Sequence, residues 1–92
     1  VRNEQLVHAD LALHRALYTA THNPYLEDTL NYYGNLSTRI WCVFLADLPD
    51  MSSHVGEHRE ILDVICAGNG AAAAELMLAH VTHFDDVVRK LL

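Results

Sequence analysis

The sequence predicts an all-α protein, an antiparallel bundle of four helices, from three observations. Apolar residues recur at the three-to-four-residue spacing of a buried helix stripe, and no period-two alternation of useful length occurs. Three breaker clusters, Asn23-Pro24, Asp47-Leu48-Pro49-Asp50 and Gly68-Asn69-Gly70, divide the chain into four segments of helix length. Only four Gly and two Pro are present in 92 residues that are 51% hydrophobic, a composition that favours helix and suffices for one small domain spanning 1–92.

The first helix is expected from Arg2 to Thr21, with Leu6, Val7, Leu13 and Leu17 inward. Asn23 is a favoured N-cap and Pro24 is tolerated at the first helical position, so a second helix runs from Pro24 to Ala46. Its inward face is expected to include Leu26, Leu30, Tyr33, Ile40, Trp41 and Phe44. Pro49 then breaks the chain, Asp50, Ser52 or Ser53 caps a third helix over Ser53 to Ala67, and Gly68-Asn69-Gly70 stops it in the left-handed conformation those residues accept. The fourth helix covers Ala71 to Leu92, and its opening alanines allow close backbone approach.

Net charge and cysteine usage exclude several functions. The formal charge is −6, and the six Lys and Arg are scattered. Such a chain has no cationic surface of its own for phosphates. No apolar run approaches the roughly 20 residues of a membrane span, and no signal peptide is visible. Cys42 and Cys66 fall on different helices without a C-x-x-C pattern, and are expected to be buried, reduced thiols of a cytoplasmic protein. The helical pattern is already running at Val1, so the chain is read as a fragment of a longer protein.

Seven histidines are many for this length, and their positions matter. Asp10 and His14 are related as i and i+4, so both side chains can reach one point. Leu6, Leu13 and Leu17 lie within about 60° of Asp10 on the helical wheel, which turns the pair towards the core. A buried carboxylate needs a positive partner and a buried imidazole tends to be neutral; a divalent cation answers both. His58 shares its face with Met51, Val55, Leu62 and Ile65, and His80 with Ala73, Leu76, Met77, Phe84, Val87 and Leu91. Asp10, His14, His58 and His80 are therefore the candidate ligands of one ion, the other reading being a hydrogen-bonded polar core.

Three imidazoles and a carboxylate suit zinc first, with nickel, manganese or iron also possible; the lack of Cys argues against a purely structural zinc clip. A coordination position left open could take water or a small carboxylate. His54 and His83 lie about 40° and 60° from the ligand faces, as alternative ligands or as partners behind them. His8 reads as solvated and His22 as a helix end. Arg39 could receive an anionic ligand beside an inward Tyr33 and Trp41, or stand exposed.

Enzymatic motifs are sparse. His54 and His58 have metalloprotease spacing, but Val55 stands where a Glu would have to act as base. Glu57 and Glu60 lie about 100° and 160° from the His58 direction, and no Ser or Cys stands beside a base.

The segments Asp10-Leu-Ala-Leu-His14-Arg-Ala-Leu, Thr21-His-Asn-Pro-Tyr-Leu26, Glu57-His-Arg-Glu-Ile-Leu-Asp-Val-Ile-Cys-Ala-Gly68 and Ala79-His-Val81 resemble the ligand-binding C-terminal domain, called FCD, of GntR-type transcriptional regulators of the FadR subfamily. The resemblance implies an all-helical effector domain whose metal is held by an Asp and three His, here Asp10, His14, His58 and His80. It implies a small organic acid bound in the cavity, with Arg39 as a possible carboxylate contact. It further implies a homodimer that meets DNA only through winged helix-turn-helix domains which, with the first bundle helices, lie outside this chain. Asn69 departs from the family pattern, which has an acidic residue after the helix-ending glycine. The expected function is thus metal-dependent effector sensing; the competing readings are a small metal-dependent hydrolase or lyase, and a helical dimerisation module.

Overall fold

The computed structural model describes residues 2–92, so the start of the chain at Val1 lies outside the described residues. They form four helices, α1 (Asn3–Ala20), α2 (Pro24–Val43), α3 (Ser52–Cys66) and α4 (Gly70–Leu91), with no strand among them. None of these helices is long and apolar enough to cross a membrane. The chain divides into two compact units, Val1–Asp47 and Leu48–Leu92. Each is a helical hairpin.

Local chemistry sets the boundaries. The Asn23 side chain accepts from the backbone N–H groups of Tyr25 and Leu26 at 3.2 and 3.1 Å, satisfying two donors that the start of α2 leaves unpaired. Before α3, Asp50 Oδ1 accepts from the Ser52 backbone at 2.9 Å and from its hydroxyl at 2.6 Å. These bonds hold the Asp50 carboxyl below its usual range. Between α3 and α4, Gly68 takes φ 77. There the Asn69 N–H bonds the Val64 carbonyl and the Gly68 N–H that of Ile65, both at 2.9 Å, which closes α3 in a Schellman motif. Asn69 then opens α4, its side chain accepting from the Ala72 N–H at 3.0 Å. Its departure from the family pattern thus leaves a working cap.

In the first hairpin, Arg15 donates to Asn35 Oδ1 at 3.0 Å and Thr19 to Glu27 Oε2 at 2.8 Å. Residue numbers rise on α1 as they fall on α2, so the helices are antiparallel. Leu6, Val7 and Trp41 are buried in this unit. In the second, His54 meets His83 and Phe84 while His58 meets His80, which makes α3 and α4 antiparallel as well. Leu48, Met51 and Ile61 are buried there.

Four expectations need correction. The second helix ends at Val43, three residues short of Ala46, because the chain passes into turns over 44–47 ahead of Pro49. Leu26, Tyr33 and Ile40 are exposed, since within this unit α1 covers only a narrow stripe of α2, which includes the buried Trp41. Cys42 and Cys66 are free thiols but exposed, lying on the outer sides of their helices. On α3 the covered face holds His54, His58 and Ile61, whereas Leu62 and Ile65 are exposed. That face is rotated by about 20° from His58 towards Ile61 and His54.

Candidate metal centre

The two hairpins each present a pair of ligand-type side chains. On α1, His14 Nε2 lies 3.3 Å from Asp10 Oδ1, with both side chains largely withdrawn from solvent. The i, i+4 spacing brings them together without distorting the helix. Behind this pair, the Tyr18 hydroxyl stands 3.5 Å from His14 Nδ1, its ring edge-on to the imidazole. Burial, reinforced by the negative charge of Asp10, raises the Tyr18 phenol above its usual pKa. Tyr18 therefore stays protonated beside the pair.

On the second hairpin, His58 Nε2 and His80 Nε2 face each other at 3.3 Å. Both residues are buried, His80 to 1% exposure. The other ring nitrogen of His80, Nδ1, donates to Glu57 Oε1 at 3.0 Å. An ionised carboxylate only accepts, so this bond places the proton of neutral His80 on Nδ1 and leaves a lone pair on Nε2, aimed at His58. Burial disfavours the charged form of Glu57, but the His80 hydrogen bond, with support from His83 and His54, outweighs it and lowers the carboxyl pKa. A carboxylate behind a histidine, as here, fixes the tautomer and orientation of a metal-ligating imidazole.

Glu57 is the residue that sequence reasoning missed. Its place beside His58 offered a signal, but about 100° of helical rotation seemed to take it off the site. The rotation of the covered face of α3 carries Glu57 to the flank of α4, where Oε1 also lies 3.2 Å from His54 Nδ1 and 3.5 Å from His83 Nδ1. His54 is 2% exposed and stacks on His80, ring centroids 4.0 Å apart at 11°. It is thus a packed partner behind His80. His54, Glu57 and His80 together form a donor group that could hold a cation.

The remaining candidates lie outside these clusters. His8 is exposed as expected, and His22 follows the end of α1 as expected, exposed at φ 55. Arg39 is exposed on α2, and Tyr33, expected to be inward beside it, is 60% exposed.

A family model described as the FCD domain matches residues 1–83. Among curated proteins, the chain is similar to the HTH-type transcriptional regulator LutR of Bacillus subtilis (strain 168), at 33% identity over 87 residues. That alignment covers 87% of this chain and 39% of the relative, so the chain spans about two fifths of the length of that protein. No solved structure matches.

Proposed function

Because the chain belongs to the FCD domain family, we propose that it is the effector-sensing part of a GntR-type bacterial transcription regulator, with a divalent cation and a small organic acid as its ligands. FCD domains belong to transcriptional regulators and are not an enzyme family, so the hydrolase and lyase reading is dropped. The proposed metal ligands are Asp10, His14, His58 and His80. Zinc is the first choice, and nickel, manganese and iron accept the same donors.

The observation that carries this reading is the His58–His80 pair, two buried Nε2 atoms 3.3 Å apart with a carboxylate behind one ring. Neighbouring ligands on an ion with bonds near 2.1 Å stand about 3.0 to 3.4 Å apart, in octahedral or tetrahedral geometry. Asp10 with His14, also at 3.3 Å, meets the same condition. The donor chemistry therefore fits a borderline divalent ion. When bound, such an ion supplies the positive charge at which a carboxylate can settle. Glu57 holds His80 in the ligating tautomer, and the Arg39 guanidinium offers a planar fork suited to the acid.

Sensing would follow from differential affinity: an acid that prefers one arrangement of the helices shifts the population towards it, and the DNA-binding part of a cytoplasmic homodimer responds. Calorimetric titration with a panel of short mono-, di- and hydroxycarboxylic acids, on metal-loaded and chelator-stripped protein, tests this. Saturable binding without turnover is expected in the loaded form, and loss of binding on stripping. A protein that retains no metal, and whose acid binding is indifferent to added zinc, would overturn the proposal.

A further inference from the structure

A second cluster lies on the α3–α4 hairpin and uses different nitrogens. His54 Nδ1 is 3.2 Å from Glu57 Oε1 and 3.1 Å from His83 Nδ1, and Glu57 Oε1 is 3.5 Å from His83 Nδ1. These three atoms form a nearly equilateral triangle. A tetrahedral ion with bonds of 2.0–2.1 Å has donor–donor edges of about 3.4 Å, within the range of the three separations. We propose that His54 Nδ1, Glu57 Oε1 and His83 Nδ1 form a second divalent-cation site, distinct from the ligand set built on the Nε2 atoms of His58 and His80.

Three features of the cluster suit it to that task. Two Nδ1 atoms at 3.1 Å cannot both carry a proton towards each other, so at least one lone pair faces the interior of the triangle. Glu57 brings a carboxylate oxygen within 3.5 Å of both Nδ1 atoms. His54 is 2% exposed and stacks on the His80 ring at 4.0 Å, with the Phe84 ring 5.9 Å away, so little side-chain freedom remains to be lost on binding. The other two donors open the site to solvent: the side chains of His83 and Glu57 are 46% and 40% exposed. An ion can therefore enter from water, and water completes its shell.

Glu57 Oε1 also accepts the His80 N–H, and a carboxylate oxygen has more than one lone pair. The same carboxylate thus serves both sites. Two imidazoles and a carboxylate select a borderline ion, zinc, copper or nickel, over calcium or magnesium.

The test is titration of chelator-stripped full chain with zinc, followed by calorimetry, and with cobalt, followed by its visible absorption. Wild-type protein is expected to take up two equivalents, and His83→Ala one. Side-chain nitrogen shifts of His54 and His83 give a readout independent of stoichiometry, with both Nδ1 signals moving as the second equivalent binds. His83 is half exposed, and His83→Gln guards against a folding defect. One equivalent in wild type that persists in His83→Ala, or Nδ1 signals that ignore metal, overturns the second site. One equivalent that His83→Ala abolishes would sustain it, and would overturn the Asp10, His14, His58 and His80 set instead.

Discussion

Glu57 Oε1 accepts the Nδ1 proton of His80 at 3.0 Å, and that bond leaves the lone pair of Nε2 facing His58. Losing such a carboxylate behind a ligand weakens metal binding by about 10- to 100-fold. Glu57→Ala is expected to lower the tighter zinc affinity by that amount, measured by competition with a chromophoric chelator. Glu57→Gln, which still accepts a hydrogen bond but carries no charge, is expected to fall between. Equal affinities for the three proteins would remove Glu57 from the site.

Metal should stabilise the fold by mass action. At free zinc about 100 times the dissociation constant, the gain is about 2.7 kcal/mol. A clear rise in thermal midpoint on adding zinc is expected, reversed by chelator and smaller in His58→Gln and His80→Gln. An unchanged midpoint in wild type would contradict metal linkage.

The Asp50 carboxyl accepts two hydrogen bonds from Ser52, which hold its folded pKa below the ordinary value of 3.8. A depressed carboxylate contributes stability that is present above the unfolded value and lost as pH falls through the folded one. Thermal melts of wild type should therefore lose midpoint below about pH 4 faster than those of Asp50→Asn. Superimposable acid limbs would show that the cap does not contribute.

Two positions with positive φ should respond in opposite senses. Gly68 at φ 77 closes α3, and a side chain there pays the left-handed penalty, so Gly68→Ala should destabilise by about 1–2 kcal/mol. His22 already carries that penalty at φ 55, so His22→Gly should be neutral or stabilising by up to about 1 kcal/mol. Urea unfolding measures both, and a loss of stability in His22→Gly would contradict the observed backbone.

Trp41, 2% exposed, anchors the α1–α2 hairpin and is the single tryptophan. Trp41→Ala is expected to cost about 3–5 kcal/mol in denaturant unfolding. A loss below about 1 kcal/mol would mean that the packing around it is loose.

The helix pattern was legible from the residues alone because caps and breakers act locally. Asn23-Pro24, Asp50 and Gly68-Asn69 satisfy or deny backbone hydrogen bonds within a few residues, and the observed ends lie within three residues of the expected ones. The same locality made Asp10 with His14 readable as a pair, since i and i+4 meet on any helix. His58 and His80 could be picked out because each sits within an apolar stripe, and both are buried.

What only the tertiary structure decided is which part of each stripe a neighbour covers. Periodicity defines a face about 100° wide, whereas one packed helix covers less, and its placement depends on residues far away in sequence. A rotation of about 20° was enough to bury His54, to expose Leu62, and to bring Glu57 against three imidazoles. The exposure of Cys42, Cys66 and Tyr33 has the same origin. Composition and spacing determined helices and candidate ligands; the packing of α3 on α4 determined which carboxylate stands behind them.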